Sequence, residues 1–261
     1  MNATIKSNIV SIQKQIGKHM RNVTYDNFYK GMSINTDVEK GLGCYTDILD
    51  KYKQIIDYMI SSHSNVMQVR FDIHYPQEIP IEIKQKHLYR FSYYLKRDLE
   101  KNAPLPTTSS IERLSRHKVD PHILLVSEIH GNSLSPHIHC LVLVNGSAKR
   151  YAPDIFARAE RQWANVLGIQ SAVGLVHYCN ENGPNPLFLK RPHDNSSPDV
   201  IQSFYNDLNA MFYQASYLAK MRGKESHAKG QWLCYSSRVP RLDNYCPFLN
   251  MQNQELEVCY G

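Results

Sequence analysis

The chain is expected to be an α+β protein, a ferredoxin-like (split βαβ) antiparallel sheet with helices on one face and a metal site on the other. Three observations predict it. From residue 66 the patterning runs strand, helix, strand, strand, helix, strand. Two of the strands, 122–130 and 137–145, flank a stretch of turn formers that includes Gly131, Asn132, Ser133, Ser135 and Pro136, as a hairpin requires. The second of them carries His137 and His139 one residue apart in an apolar run, so both imidazoles leave the same sheet face.

The elements follow in order. Residues 1–43 are polar, with Gly31, Gly41 and Gly43, and read as a helical or irregular arm. Residues 46–61 have helical spacing through Ile48, Leu49, Tyr52, Ile55, Ile56 and Met59. Residues 66–75 alternate, with Met67, Val69, Phe71 and Ile73 on one face and Arg70, Asp72 and His74 on the other; Pro76 ends the strand. Residues 81–99 form an amphipathic helix through Ile83, Leu88, Phe91, Leu95 and Leu99, and a loop rich in Pro, Thr and Ser follows at 103–110.

After the hairpin, 153–167 is a helix, 174–179 a short strand and 182–198 a loop with four prolines. Residues 199–220 make a long helix, with Ser197 as N-cap and Pro198 at its first position. Residues 221–261 read as irregular and partly basic. In the split βαβ arrangement, strands 66–75 and 122–130 are expected as the central pair. Helices 81–99 and 153–167 should cover one face and leave the other open.

Composition narrows the function classes. The 261-residue chain has a net charge of +6, which permits a polyanionic partner without requiring one. Basic clusters at Lys149-Arg150, Lys190-Arg191 and from Lys220 to Lys229 each read first as solvated surface. Six scattered cysteines with no CxxC argue against a zinc knuckle and a disulfide scaffold. With no signal peptide and no apolar run of membrane-spanning length, a cytoplasmic protein is expected.

The hairpin carries the chemistry. If Glu128 pairs opposite His139, two neutral nitrogens and one carboxylate converge as a three-ligand site with an open position. A divalent metal held there can polarise a phosphate. His130 shares the face of Glu128, but a carboxylate suits Mg²⁺ or Mn²⁺ better than a third imidazole. In a chain with 12 histidines, an HxH pair alone is as well read as two strand histidines bonded locally.

A second constellation decides between these. Tyr213, Tyr217 and Lys220 recur at i, i+4 and i+7. They lie roughly 140° from the apolar stripe Ile201, Phe204, Leu208, Phe212, Ala215, Ala219. A phenol becomes a useful nucleophile when a metal withdraws charge from the phosphate under attack, and a lysine can assist proton transfer. Arg70 is a candidate phosphate contact and an equally good ion-pair partner. Trp163 reads as core, and His177 and Tyr178 as weak candidates for stacking on bases.

HIH within an apolar strand, followed by a helix carrying YxxK, resembles the HUH endonucleases: rolling-circle replication initiators, relaxases and single-strand transposases. SEIHGNSLSPHIH is similar to the Glu-x-His and Pro-His-x-His stretches of phage gene A-type initiators. Tyr213-x-x-x-Tyr217-x-x-Lys220 resembles their paired-tyrosine motif, except that Ser216 stands where many have lysine. The strand VRFDIHYP and the SYLAK helix resemble inovirus-type replication proteins and their prophage relatives, the YagK/YfjJ family, over about residues 45–240.

An arm at 1–43, outside the resemblance, and an endonuclease domain at 44–261 with an irregular C-terminal segment are expected. The resemblance implies nicking and joining of single-stranded or supercoiled origin DNA through a 5′-phosphotyrosyl link, in a bacterial host cell. Mg²⁺ or Mn²⁺ would sit on His137, His139 and Glu128, with Tyr217, Tyr213 and Lys220 catalytic. A host helicase and polymerase are its implied partners. Two other classes are weighed against it. A histidine-triad hydrolase needs a third histidine where Leu141 stands. A non-catalytic nucleic-acid-binding module would show aromatic and basic residues on its strands, and that signature is not apparent.

Overall fold

The computed structural model describes residues 12–16, 19–77, 85–101, 117–129, 136–180, 183–224, 233–241 and 246–249. In chain order the elements are β1 (Ile12–Ile16), β2 (His19–Thr24), β3 (Phe28–Tyr29), β4 (Met32–Ser33), β5 (Cys44–Tyr45), α1 (Thr46–Ser62), β6 (Asn65–Ile73), α2 (Gln85–Lys101), β7 (His122–Glu128), β8 (His137–Asn145), α3 (Ala152–Leu167), β9 (Val176–Tyr178), β10 (Leu187–Lys190), α4 (Pro198–Ser216), a 3₁₀ turn (Tyr217–Ala219) and β11 (Cys234–Ser236). The protein is a mixed α+β fold, and every described strand pair is antiparallel.

The main sheet has six strands, in the order β10-β6-β8-β7-β11, with β9 also paired to β6. The central pair is therefore β6 with β8, not residues 66–75 with 122–130 as the sequence suggests. The hairpin return puts β8 between β6 and β7, with Asp72 opposite His139 and Glu128 opposite His137. Residues 221–261 were expected to be irregular; instead Cys234–Ser236 form β11, which extends the sheet beyond β7.

Both faces of the sheet are covered, which corrects the expectation of one open face. Strand alternation sorts the side chains. Met67, Val69, Phe71 and Ile73 join Ile123, Leu125, Cys140 and Val142 in a cluster beneath α2 and α3. Leu124, Val126, Leu141 and Leu143 face the other way and pack with α1 and α4. The stripes that bury these helices are the ones legible in the sequence: Ile48, Leu49, Tyr52, Ile55, Ile56 and Met59 on α1, and Phe204, Leu208, Phe212 and Ala215 on α4. Trp163 is fully buried in the α2/α3 layer, where its indole donates to the His74 carbonyl at 2.8 Å. The Asp98 carboxylate ties α2 to α3 through Arg158, Arg161 and Gln162.

Helix ends follow ordinary rules. Pro153 sits in the first turn of α3, and Gly168 caps its other end at φ 70°, a left-handed conformation that favours glycine. Ser197 occupies the N-cap position of α4 in extended conformation, without a side-chain cap bond.

Among the described residues before 44 the regular elements are strands, where the sequence suggests a helical or irregular arm. β1, β2 and β5 form a separate three-stranded sheet, and β3 pairs with β4. Val23, Met32 and Ile34 are buried in the same cluster as α1 and α4, so residue 43 marks no break in packing. Gly43 allows the close approach this needs. A Cβ there would lie 2.6 Å from Val23 Cγ1 and 2.7 Å from the Thr24 carbonyl oxygen.

Candidate metal centre

The centre lies where three adjacent strands present polar side chains on one face. β6 supplies Arg70, Asp72 and His74; β8 supplies His137 and His139; β7 supplies Glu128. Because β8 runs between the other two, His139 has Asp72 directly across one ladder. Glu128 reaches it diagonally across the other. The Asp72 Oδ1 to His139 Nδ1 distance is 2.8 Å, and Glu128 Oε2 to His139 Nε2 is 2.6 Å. The second Asp72 oxygen lies 3.0 Å from His137 Nε2.

The donor atoms of Asp72, His137 and His139 all lie within 4.8 Å of one another. Two nitrogens and a carboxylate are the ligand set argued from the sequence, with Asp72 in the acidic place and Glu128 beside it. Both His139 nitrogens face carboxylate oxygens. A neutral imidazole carries one proton, so the second contact requires another positive centre, either a proton or a bound cation. The donor set therefore fits a divalent metal, for which protons compete.

Burial raises the Asp72 carboxyl. The hydrogen bonds from His137 and His139, with the charges of His139 and Arg70, outweigh that and hold it well below the usual carboxylate range. His74 stacks on His137 with ring centroids 4.4 Å apart and meets His177 edge-on at 4.8 Å. Burial, then the charges of His137 and His177, pull His74 down to about 4.

Glu128 is buried against the chain that follows α4. Gly223, at φ 67°, passes so close that a Cβ would sit 2.3 Å from Glu128 Cγ. The Gly223 carbonyl accepts the Ile129 amide at 2.7 Å. Next to it Lys224 is fully buried, with Nζ 3.6 Å from Glu128 Oε2. Burial lowers the Lys224 ammonium below the ordinary lysine range, and Glu128 only partly restores it.

The end of α4 delivers the tyrosine. α4 stops at Ser216, and Tyr217 opens a 3₁₀ turn instead of continuing the helix to 220. The half-buried Tyr217 ring meets His139 edge-on, centroids 5.3 Å apart. The Arg70 guanidinium lies over the ring at 4.1 Å and Lys220 Nζ at 5.3 Å. Burial lowers the Lys220 ammonium, and the charges of Cys44 and Asp37 act against it. Tyr213, one turn earlier, is 46% exposed, and no described ring contact joins it to the histidines.

Residues before 44 hold this turn in place. Ser216 is fully buried; its Oγ accepts the Asn35 amide at 2.8 Å and donates to the Tyr213 carbonyl at 2.7 Å. Met221 N–H donates to the Gly43 carbonyl at 3.0 Å, and Lys220 bridges Cys44. A lysine at 216 would have to bury its ammonium here, which explains why a serine stands there.

The sequence-predicted residues His137, His139, Glu128, Tyr217 and Lys220 come together. His130 lies outside the described residues. Leu141, the third position of a histidine triad, is buried in the core. Asp72 and Lys224 were missed. Asp72 carried a signal, since it alternates with Arg70 and His74 on the polar face of its strand. Lys224 carried none, being one cation in a basic run. Compared with known proteins, the chain matches no family model, no curated protein and no solved structure.

Proposed function

We propose that the protein is a metal-dependent nicking and joining enzyme for single-stranded DNA, of the HUH type that initiates rolling-circle replication. The observation that carries this reading is the edge-on contact of Tyr217 with His139, beside three clustered metal donors. The order β9-β6-β8-β7, with the first strand of the unit between its fourth and third, supports the split βαβ arrangement.

Asp72, His137 and His139 would hold Mg²⁺ or Mn²⁺, with Glu128 orienting His139. A divalent ion there supplies charge withdrawal from a bound phosphate. Arg70 faces the same space and binds the phosphate oxygens. The Tyr217 oxygen attacks phosphorus, the bond to the 3′ oxygen breaks, and the strand remains attached as a 5′-phosphotyrosine. Lys220 in its neutral form takes the phenolic proton and returns a proton to the departing 3′ oxygen. The reverse reaction rejoins the strand; Tyr213, exposed one turn away, is the candidate for a second transfer. A supercoiled origin as substrate, a host helicase and polymerase as partners and a cytoplasmic setting belong to the same reading. None of the described helices is long and apolar enough to cross a membrane.

The test is a labelled single-stranded oligonucleotide pool incubated with Mg²⁺ or Mn²⁺ and resolved under denaturing conditions. An adduct that survives detergent and maps to Tyr217 by peptide mass analysis is expected. Cleavage without adduct by a Tyr213→Phe/Tyr217→Phe double variant would leave attack by water as the mechanism. A complete lack of metal-dependent cleavage would remove the enzyme reading.

A further inference from the structure

On the other side of the same sheet edge lies a groove that the metal centre does not use. β10 pairs with residues 65–68 of β6 and β9 with residues 71–73, so neither strand reaches the backbone of Arg70. The Asn185 side chain fills that place. Its amide accepts from Arg70 N–H at 3.1 Å and donates to Arg70 O at 2.6 Å. The Tyr178 hydroxyl donates to the Asn185 carbonyl and fixes the same corner. His177 pairs across from Asp72 and meets His74. Tyr178, one residue on, points to the opposite face.

There it enters a groove of about 510 Å³ lined by Arg150, Tyr151, Phe156, Tyr178, Pro186 and Phe188. That volume is within the range of about 300–1,000 Å³ common to ligand clefts. Phe156 meets Tyr178 edge-on at 5.8 Å. Phe188 and Tyr151 are 50% and 53% exposed, so their rings remain accessible at the groove. The charged side chain in the lining is a cation, Arg150, whose Nε is oriented by the Gly146 carbonyl at 3.1 Å. Exposed Lys190 lies two residues from Phe188 on the same side of β10.

We infer that this groove binds unpaired nucleobases of a single DNA strand whose neighbouring phosphate lies at the metal centre. This rests on the nicking reading for the identity of the strand. Aromatic faces accept any base by stacking, while Arg150 and Lys190 match the backbone charge. A neutral apolar ligand would need no cations at the rim. A duplex keeps its base faces covered and gains nothing from the groove. The corner at His177 and Tyr178 joins the two sites, so one strand crossing the sheet edge meets the metal donors on one face and the aromatic rings on the other.

The test is equilibrium binding of a labelled single strand of about a dozen nucleotides, measured by fluorescence anisotropy in EDTA on the full chain. Phe188→Ala and Tyr151→Ala should each weaken binding about tenfold, and Phe188→Tyr should restore it. A duplex of the same sequence should bind the parent and Phe188→Ala alike. Both side chains are half exposed, and unchanged circular dichroism and melting midpoint confirm the fold of each variant. Alanine variants that bind the single strand within about twofold of the parent overturn the inference. So does a groove that takes up an apolar dye which the single strand fails to displace. EDTA withholds the metal that nicking requires, so binding is read apart from cleavage. Nicking can thus fail while groove binding holds, and the groove can fail while the Tyr217 adduct forms.

Discussion

The two faces of β6 are both largely buried and chemically opposite. Met67, Val69, Phe71 and Ile73 join the apolar cluster under α2 and α3. Gln68, Arg70 and Asp72, alternating with them, are also shielded from water, and each is held by a specific partner. Tyr52 donates to Gln68 Oε1 at 2.6 Å, and Gln68 Nε2 donates to the Met211 carbonyl at 3.1 Å. Arg70 lies on Tyr217, and Asp72 receives both histidines. The difference teaches that burial alone does not mark a core. On the first face burial stabilises by removing surface from water, and exchange for a similar apolar group is tolerated. On the second, each buried polar atom costs stability unless its partner is in place, so the arrangement is rigid and unforgiving.

Breaking the apolar face should cost the most stability. Phe71→Ala removes a fully buried ring and is expected to cost about 3–5 kcal/mol in urea denaturation, with Mn²⁺ affinity of the folded protein unchanged. A cost below about 1 kcal/mol would mean the two faces do not differ as described. On the polar face, Asp72→Asn should cost about 1–3 kcal/mol and weaken Mn²⁺ binding at least tenfold by calorimetry. Retained affinity would move the acidic ligand to Glu128. Gly223→Ala should cost about 1 kcal/mol or slightly more, because alanine is strained at φ 67° and its methyl collides with Glu128. The same variant should lower Tyr217 adduct formation; unchanged adduct would show that Glu128 can shift without consequence.

The smallest effect is a pH dependence away from both faces. Burial raises the Asp120 carboxyl, but hydrogen bonds from His122, His63 and Tyr58 outweigh it and hold it well below the usual range. A folded value below the unfolded one stabilises the protein fully above about pH 4, the unfolded value. That contribution is lost as pH falls through the folded value. Asp120→Asn should lower the urea midpoint near neutrality and flatten its fall below about pH 4, so that variant and parent converge in acid. Asparagine also tolerates the φ of 46° found at Asp120. An identical acid limb in the variant would assign the loss to Asp72 and Asp98.

Much of this was legible because side-chain period reports on local geometry. α1, α4 and the β7–β8 hairpin follow from spacing alone, and so does the shared face of His137 and His139. Strand order and cover were not legible. Nothing in residues 122–145 tells whether β7 or β8 lies next to β6; that depends on how the crossover from α2 returns. Residues 22–45 lack long apolar runs, because their strands are short and bury few residues, among them Val23, Met32, Cys44 and Tyr45. β10 was hidden in a loop dense with proline, and Lys224 in a basic run. Asp72 was visible as a polar position, but its register opposite His139 is a property of the sheet, not of the strand.

The centre is also dispersed along the chain. Asp72 is made early, the hairpin later, and only from beyond residue 216 does Tyr217 meet His139 and do Gly223 and Lys224 close over Glu128. β11 then pairs with β7 and seals that edge. During synthesis the chain grows from its N-terminus, at about 5–20 residues per second. For several seconds a nascent protein therefore holds the carboxylates and imidazoles of the centre without the phenol or the lysine that faces Glu128. A fragment released early from the ribosome would lack the proposed nucleophile. On the proposed reading, the ability to cut a strand arises only once residues beyond 216 have been made.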